Sequence, residues 1–353
     1  MPEGGGGIFF SEQGIRNASR IHKQMTLHDH DTGGAFVVIT GGKGSGKTTA
    51  LHHITQQSFT LEYRRGRRVF VPDMVLYRCR PEMMDTWPSL LDAKYPWSAT
   101  SSDGRPLTRE VAFFHHAGDF PLVKHEDEAA LGGMEGRIHA YTDFPDLYRQ
   151  LRPGGFNVIL EPEHYTPGED FLRRIEKKAY LTLPKKVFGA EMDSAVWWVE
   201  FIEWLLYHKG TEGIVVVMDE ADEVFTSGAA GLRFHIQAYF GSLARDFRRR
   251  VITFLMVLHN WGDADHAVTR KANFYVWFRG RPPPAFSELK KYGPLIARLE
   301  TGSCVFEHQG FGGNIWPVIP FTVRGKVVYG HRPELPQGEA AAVPLADVPG
   351  VPG

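Results

Sequence analysis

Three short stretches of the chain gather residue types suited to handling a polyphosphate. The first is VVITGGKGSGKTT, Val37 to Thr49, in which Gly41-x4-Gly46-Lys47-Thr48 follows an apolar run and precedes a helical pattern. That spacing is the one a phosphate-cradling loop requires between a strand and a helix. Glycines let the backbone wrap an anion at conformations that a Cβ hinders. The N–H groups of the loop and of the helix that follows supply positive partial charge. Gly41, Gly42, Lys43, Gly44, Ser45, Gly46, Lys47, Thr48 and Thr49 are therefore the expected contacts. Lys47 would meet the β and γ phosphates of ATP, the Thr48 hydroxyl would ligate Mg2+, and Thr49 would add a secondary contact at best. Lys43 has two readings, solvent or a neighbouring subunit's nucleotide.

The second stretch is IVVVMDEADEVF, which puts Asp219 and Glu220 at the end of an apolar strand. In a parallel sheet that end shares an edge with the phosphate loop. Asp219 would hold Mg2+ through its water shell, and Glu220 would orient and polarise the attacking water. The letters DEAD at 219–222 match a helicase signature. No Ser-Ala-Thr triplet and no arginine-rich motif of a second RecA-like domain follow, so the match is accidental. Asp222 and Glu223 are read as exposed acids that start a helix.

The third stretch is RRRVITFLMVLHNWGDADHAVTRKANFYVWFRG, a strand ending in His259 and Asn260 and a second strand ending in Arg279. Together the three stretches resemble the FtsK–HerA superfamily of P-loop ATPases over about residues 35–80 and 195–325. There the corresponding strand ends in Thr-Gln or similar, followed by a polar segment with Arg and Ala and a strand closing in Phe-Arg. His259-Asn260 departs from that pattern, although Asn260 keeps an amide able to sense the γ-phosphate. The resemblance implies an ATP-driven motor translocating double-stranded DNA without sequence specificity, working as a hexameric ring with an arginine finger supplied by the adjacent subunit. Arg245, Arg248, Arg249, Arg250, Arg270 and Arg279 are the candidates for that finger, Arg270 and Arg249 being preferred. Most of the run ARDFRRR reads as a solvated helix C-terminus, where cations favour the macrodipole. Genome packaging into a viral capsid, with a capsid or portal-vertex partner, is the expected task. The alternative is a morphogenesis or secretion ATPase that remodels a protein partner, resembling the zonula-occludens-toxin-like proteins. A nucleotide-binding switch is a third reading, against which Glu220 counts.

Strands of continuous apolar type alternating with helices position these residues. They predict an α/β P-loop NTPase of the RecA-like, additional-strand and catalytic-glutamate kind: a mostly parallel sheet with helices on both faces, plus an insertion. Strands are expected at 35–40, 69–71, 156–160, 214–218, 251–258 and 273–278. A helix capped by Asp193 or Ser194 is expected to end at Gly210, with Trp197, Phe201, Trp204, Leu205 and His208 on its apolar face. Another has Ile236, Phe240, Leu243 and Phe247 on one side. The arm 1–34, a domain 35–334 with an insertion at about 80–155, and a flexible tail 335–353 complete the expected organisation.

Composition narrows the rest. With 40 basic residues against 41 acidic, the net charge is -1, which argues against a dedicated DNA-reading module but not against a local basic channel. The basic run Arg64 to Arg68 reads as a solvated turn around Gly66, with a channel lining as the alternative. Two cysteines give neither a disulfide framework nor a zinc quartet. The pairs His28/His30, His52/His53 and His115/His116 offer no convergent metal set and read as surface or helix residues. No apolar run approaches the roughly 20 residues of a membrane span. The expected location is the host-cell cytoplasm, with virion association as an extension of it.

Overall fold

The structure is a computed structural model that describes residues 33–48, 50, 51, 54, 55, 74–79, 111–119, 138–153, 155–162, 164–210, 212–308 and 312–317. A strand apolar along its whole length has no face to offer water, so it must lie inside a sheet covered on both sides. Six strands are buried at every residue, with at most one polar side chain each: β1 (Phe36–Thr40), β2 (Met74–Cys79), β5 (Phe156–Leu160), β6 (Ile214–Met218), β7 (Ile252–Leu258) and β8 (Phe274–Phe278). With β3 (Val111–His116), β4 (Ile138–Tyr141), β9 (Ser303–His308) and β10 (Gly312–Pro317) they form one sheet, in the order β10-β9-β8-β1-β7-β6-β2-β5-β3-β4. The pairings from β8 to β4 are all parallel, and β9 and β10 add an antiparallel hairpin at one edge.

Two cores follow from the alternation of side chains across that sheet. On one face Phe36, Val38, Val216 and Met256 pack against three helices: α2 (Glu169–Ala179), α3 (Ser194–His208) and α5 (Gly231–Arg249). On the other, Val37, Ile39, Val215 and Val257 pack against Ala50, Leu51 and Ile54, which belong to the helical residues after the phosphate loop. Helices thus cover both faces. In α3 Asp193 is the N-cap and accepts from the Ala195 N–H, as the sequence predicts. Its aromatic stripe is core packing: Trp197, Phe201 and Leu205 are buried, and His208 lies outside, stacked on Trp204 at 4.5 Å. Ile236, Phe240, Leu243 and Phe247 of α5 are likewise all buried.

The strand expected at 69–71, the arm to residue 32, the tail from 335 and the basic run 64–68 lie outside the described residues. The described strand is β2, in which an arginine interrupts the apolar run that marks the other strands. Within the span 80–155, β3 and β4 join the sheet beside β5, and α1 (Phe144–Gln150) follows, capped by Asp143. The helix α2 and the β9–β10 hairpin had no sequence expectation. Among the described residues no helix is long and apolar enough to cross a membrane, and no group of three His, Cys, Asp or Glu could hold a metal.

Candidate nucleotide-binding site

The strand order places the loop. β1 delivers Gly41 and Gly42 to the C-terminal edge of the sheet, and β6 delivers Asp219 and Glu220 to the same edge, with β7 lying between them. The loop then turns back into a helix, in which the Ala50 N–H donates to the Gly46 carbonyl at 2.9 Å. Gly46 has φ 101°, a region that disfavours any side chain, and a Cβ there would stand 3.3 Å from Gly302 Cα. The Gly302 N–H donates to the Ser45 carbonyl at 3.0 Å, and the Gly42 N–H to the Arg279 carbonyl at 2.6 Å. The chain between β8 and β9 is therefore tied to the phosphate loop at both ends.

Two groups of opposite charge meet inside this cradle. Lys47 is buried, and its ammonium donates to the carbonyls of Gly41 and Gly42 at 2.7 and 2.8 Å. Burial lowers its pKa, opposed by the charges of Asp219, Asp222 and Glu220. The Thr48 hydroxyl donates to Asp219 Oδ2 at 3.0 Å across 171 residues of sequence. Asp219 is buried, which raises its pKa, and the bonds from Thr48 and the Glu220 N–H offset part of that. The Ser45 hydroxyl is buried with no hydrogen-bond partner among the described residues. An unmatched buried donor, a lysine folded on its own loop, and a Thr–Asp pair of hard oxygen ligands fit a phosphate group with Mg2+.

Glu220 sits in the left-handed region, φ 50° and ψ 42°, with its N–H on Asp219 Oδ1 at 3.0 Å. It begins α4 (Ala221–Val224). His259, at the end of β7, lies beside it: Nε2 is 3.9 Å from Glu220 Oε1, and Nδ1 is 3.4 Å from Asp222 Oδ2. The Asn260 amide instead donates to Asp263 Oδ2 at 2.7 Å. Asp222 and Glu223 are not the exposed acids expected. Both are half-buried, Asp222 against His259 and Glu223 against Arg78.

Of the remaining expected residues, Lys43 is exposed on the loop, and Thr49 lies outside the described set. Arg279 is exposed at the loop edge. Arg245, Arg248, Arg249 and Arg250 close α5 just before β7 begins, at the opposite edge of the sheet, and Arg249 is 3.8 Å from Asp246. Arg270 follows α6 (His266–Thr269), with its guanidinium 5.3 Å from the centre of the Phe286 ring. Sequence reading missed Arg78 and Glu161, a buried ion pair at 2.7 Å on the C-terminal ends of β2 and β5. The available signal was a charged residue inside the apolar run MVLYRC.

No protein-family model matches the sequence, and no curated protein matches it. Among solved structures, the genome packaging NTPase B204 from Sulfolobus turreted icosahedral virus 2, in complex with ATP-gammaS, matches at 11% identity over 81% of this chain and 98% of that one, with a TM-score of 0.41. The pCW3 conjugation coupling protein TcpA matches at 10% identity over 82% of this chain and 61% of that one, with a TM-score of 0.33. The N-terminal domain of zonular occludens toxin from Neisseria meningitidis gives 10% identity over 82% and 87%, with a TM-score of 0.25. Identities and scores this low carry no function across. The strand order and the joined loop and acidic strand suffice for the class: the fold is that of a P-loop NTPase domain with an additional strand between those two elements.

Proposed function

We propose that the chain is an ATP-hydrolysing motor that moves double-stranded DNA as a homo-hexameric ring, packaging a genome into a viral capsid against a capsid or portal-vertex partner. The observation that carries the ATPase reading is the Thr48–Asp219 hydrogen bond, which joins the phosphate loop to the acidic strand and sets Glu220 beside them. The DNA and ring readings are supported by the resemblance of the strand pair ending in Asn260 and Arg279.

In hydrolysis the oxygen of a water forms a bond to the γ-phosphorus and the bond to the β–γ bridging oxygen breaks. ADP and phosphate leave, and the water's proton passes to the Glu220 carboxylate. Lys47 exchanges its two loop carbonyls for phosphate oxygens. Thr48 and Asp219 are the residues that would hold Mg2+, which would supply positive charge to the phosphates when bound. Arg270 or Arg249 would complete a neighbouring subunit's site from outside its own loop.

Steady-state hydrolysis with and without linear double-stranded DNA tests this, beside Glu220→Gln. Turnover stimulated by DNA and lowered about 10²–10⁴-fold in the variant is expected, with nucleotide affinity retained. Glu220-dependent turnover indifferent to DNA would move the reading to an ATPase that remodels a protein partner.

A further inference from the structure

Arg78 is a cation inside a hydrophobic sheet, the fifth residue of β2 and 2% exposed. A guanidinium has five donors and no acceptor, so at such a depth it must be met by oxygen on several sides. Nε and Nη2 donate to Glu161 Oε2 and Oε1 at 2.7 and 2.9 Å, the planar fork matching the carboxylate. Nη2 also lies 3.5 Å from Glu223 Oε2. Burial works against the charge, but Glu161 and then Glu223 outweigh it, and the pKa stands above its ordinary value.

The remaining nitrogen decides the matter. Nη1 donates to the main-chain carbonyls of Asp219 and Glu220, at 3.3 and 3.4 Å. An ion pair that merely stapled β2 to β5 would be complete with Glu161. This one reaches across to the end of β6, 141 residues away, and grips the two peptide units that flank the left-handed turn at Glu220. That conformation is disfavoured for a residue with a Cβ and persists only where its surroundings hold it. Its local supports are the Glu220 N–H on Asp219 Oδ1 and the Glu223 N–H on the Glu220 carbonyl at 3.1 Å.

The geometry points to Arg78 as a positioning residue that fixes the direction in which Glu220 presents its carboxylate, with Glu161 as its anchor. The inference rests on the ATPase reading above. Lysine cannot replace it, because an ammonium lacks the planar fork that spans Glu161 and two carbonyls at once.

The test uses the full chain in three forms. These are wild type, Arg78→Lys, and Arg78→Met combined with Glu161→Met, which removes both buried charges together and leaves neither unpaired. Folding is checked by circular dichroism, affinity by a fluorescent ADP analogue with Mg2+, and kcat and KM by steady-state hydrolysis. Both variants are expected to keep KM and analogue affinity within about threefold while kcat falls about 100-fold, the signature of a misaimed base. Full activity in Arg78→Lys, or a kcat within about threefold of wild type in the folded double variant, overturns the inference. Loss of analogue affinity matching the loss of kcat overturns it too, since the arginine would then serve the loop rather than Glu220. If the double variant does not fold, Arg78→Lys decides alone. A wild type without turnover sinks the ATPase reading and this role with it, whereas an active wild type with unaffected variants sinks the role alone.

Discussion

One added methyl group measures how closely the chain is packed around its phosphate loop. A Cβ on Gly280 would stand 2.6 Å from the Gly42 nitrogen, a backbone atom with nowhere to go. Gly280→Ala is therefore expected to weaken binding of a non-hydrolysable ATP analogue by about 10-fold or more, as overpacking against main chain costs about 1–3 kcal/mol. Calorimetric titration would read it, and unchanged affinity would mean that the loop relaxes freely. His259 and Asn260 are separated by the same kind of comparison. The Asn260 amide is engaged with Asp263, while the His259 ring lies between Glu220 and Asp222. His259→Ala is expected to lower turnover more than Asn260→Ala, by about 10-fold, the scale of one lost polar contact to these carboxylates. A larger loss at Asn260 would show that its amide leaves Asp263 when nucleotide binds. The loop residues were legible because their spacing is local and their stereochemistry leaves few alternatives. Arg78, Glu161 and the placement of His259 beside Glu220 were not. Their partners are set by which strand ends lie side by side, and strand order is not written in any one segment.

At the scale of elements, the same limit separates what was readable from what was not. The six fully buried strands include five whose apolar runs announce them, whereas β2 carries a buried arginine and β3 ends in two histidines. The helix α3 was readable from its cap, but the pairing of its acids was not. Glu200 accepts from the Tyr165 hydroxyl at 2.6 Å and from the Gly168 N–H at 3.1 Å, tying α3 to the start of α2. Burial pushes its pKa up to about 7, against the pull of those two bonds. The unfolded chain releases this proton near the ordinary glutamate value of about 4.3. Between those values the folded chain holds the extra proton, so this group's contribution to stability falls as pH rises through that window and is level above it. From pH 8 to pH 6 the wild type should regain about 1 kcal/mol, roughly 1–2 °C in Tm for a chain of this size, relative to Glu200→Gln. Parallel melting curves for the two proteins would deny the shift.

At the scale of the whole molecule, the candidate fingers stand away from their own phosphate loop, Arg249 at the far edge of the sheet and Arg270 beside Phe286. Such residues act only if a second copy brings its loop to them. Mixing Glu220→Gln and Arg270→Ala protomers should then restore part of the turnover that each lacks alone, because some interfaces pair an intact glutamate with an intact arginine. A mixture as inactive as its components would remove Arg270 from that role, and the same cross with Arg249→Ala follows. The sheet order has a consequence for the order of events in synthesis as well. Phe36 of β1 pairs with Phe254 of β7, 218 residues later, and its other neighbour, β8, comes later still. At about 5–20 residues per second, the strand that bears the loop leaves the ribosome roughly 10–40 s before either flanking strand exists. FVVIT, apolar but for Thr40, must wait that long without its sheet partners, and nucleotide capture becomes a report that synthesis has passed β7 and β8.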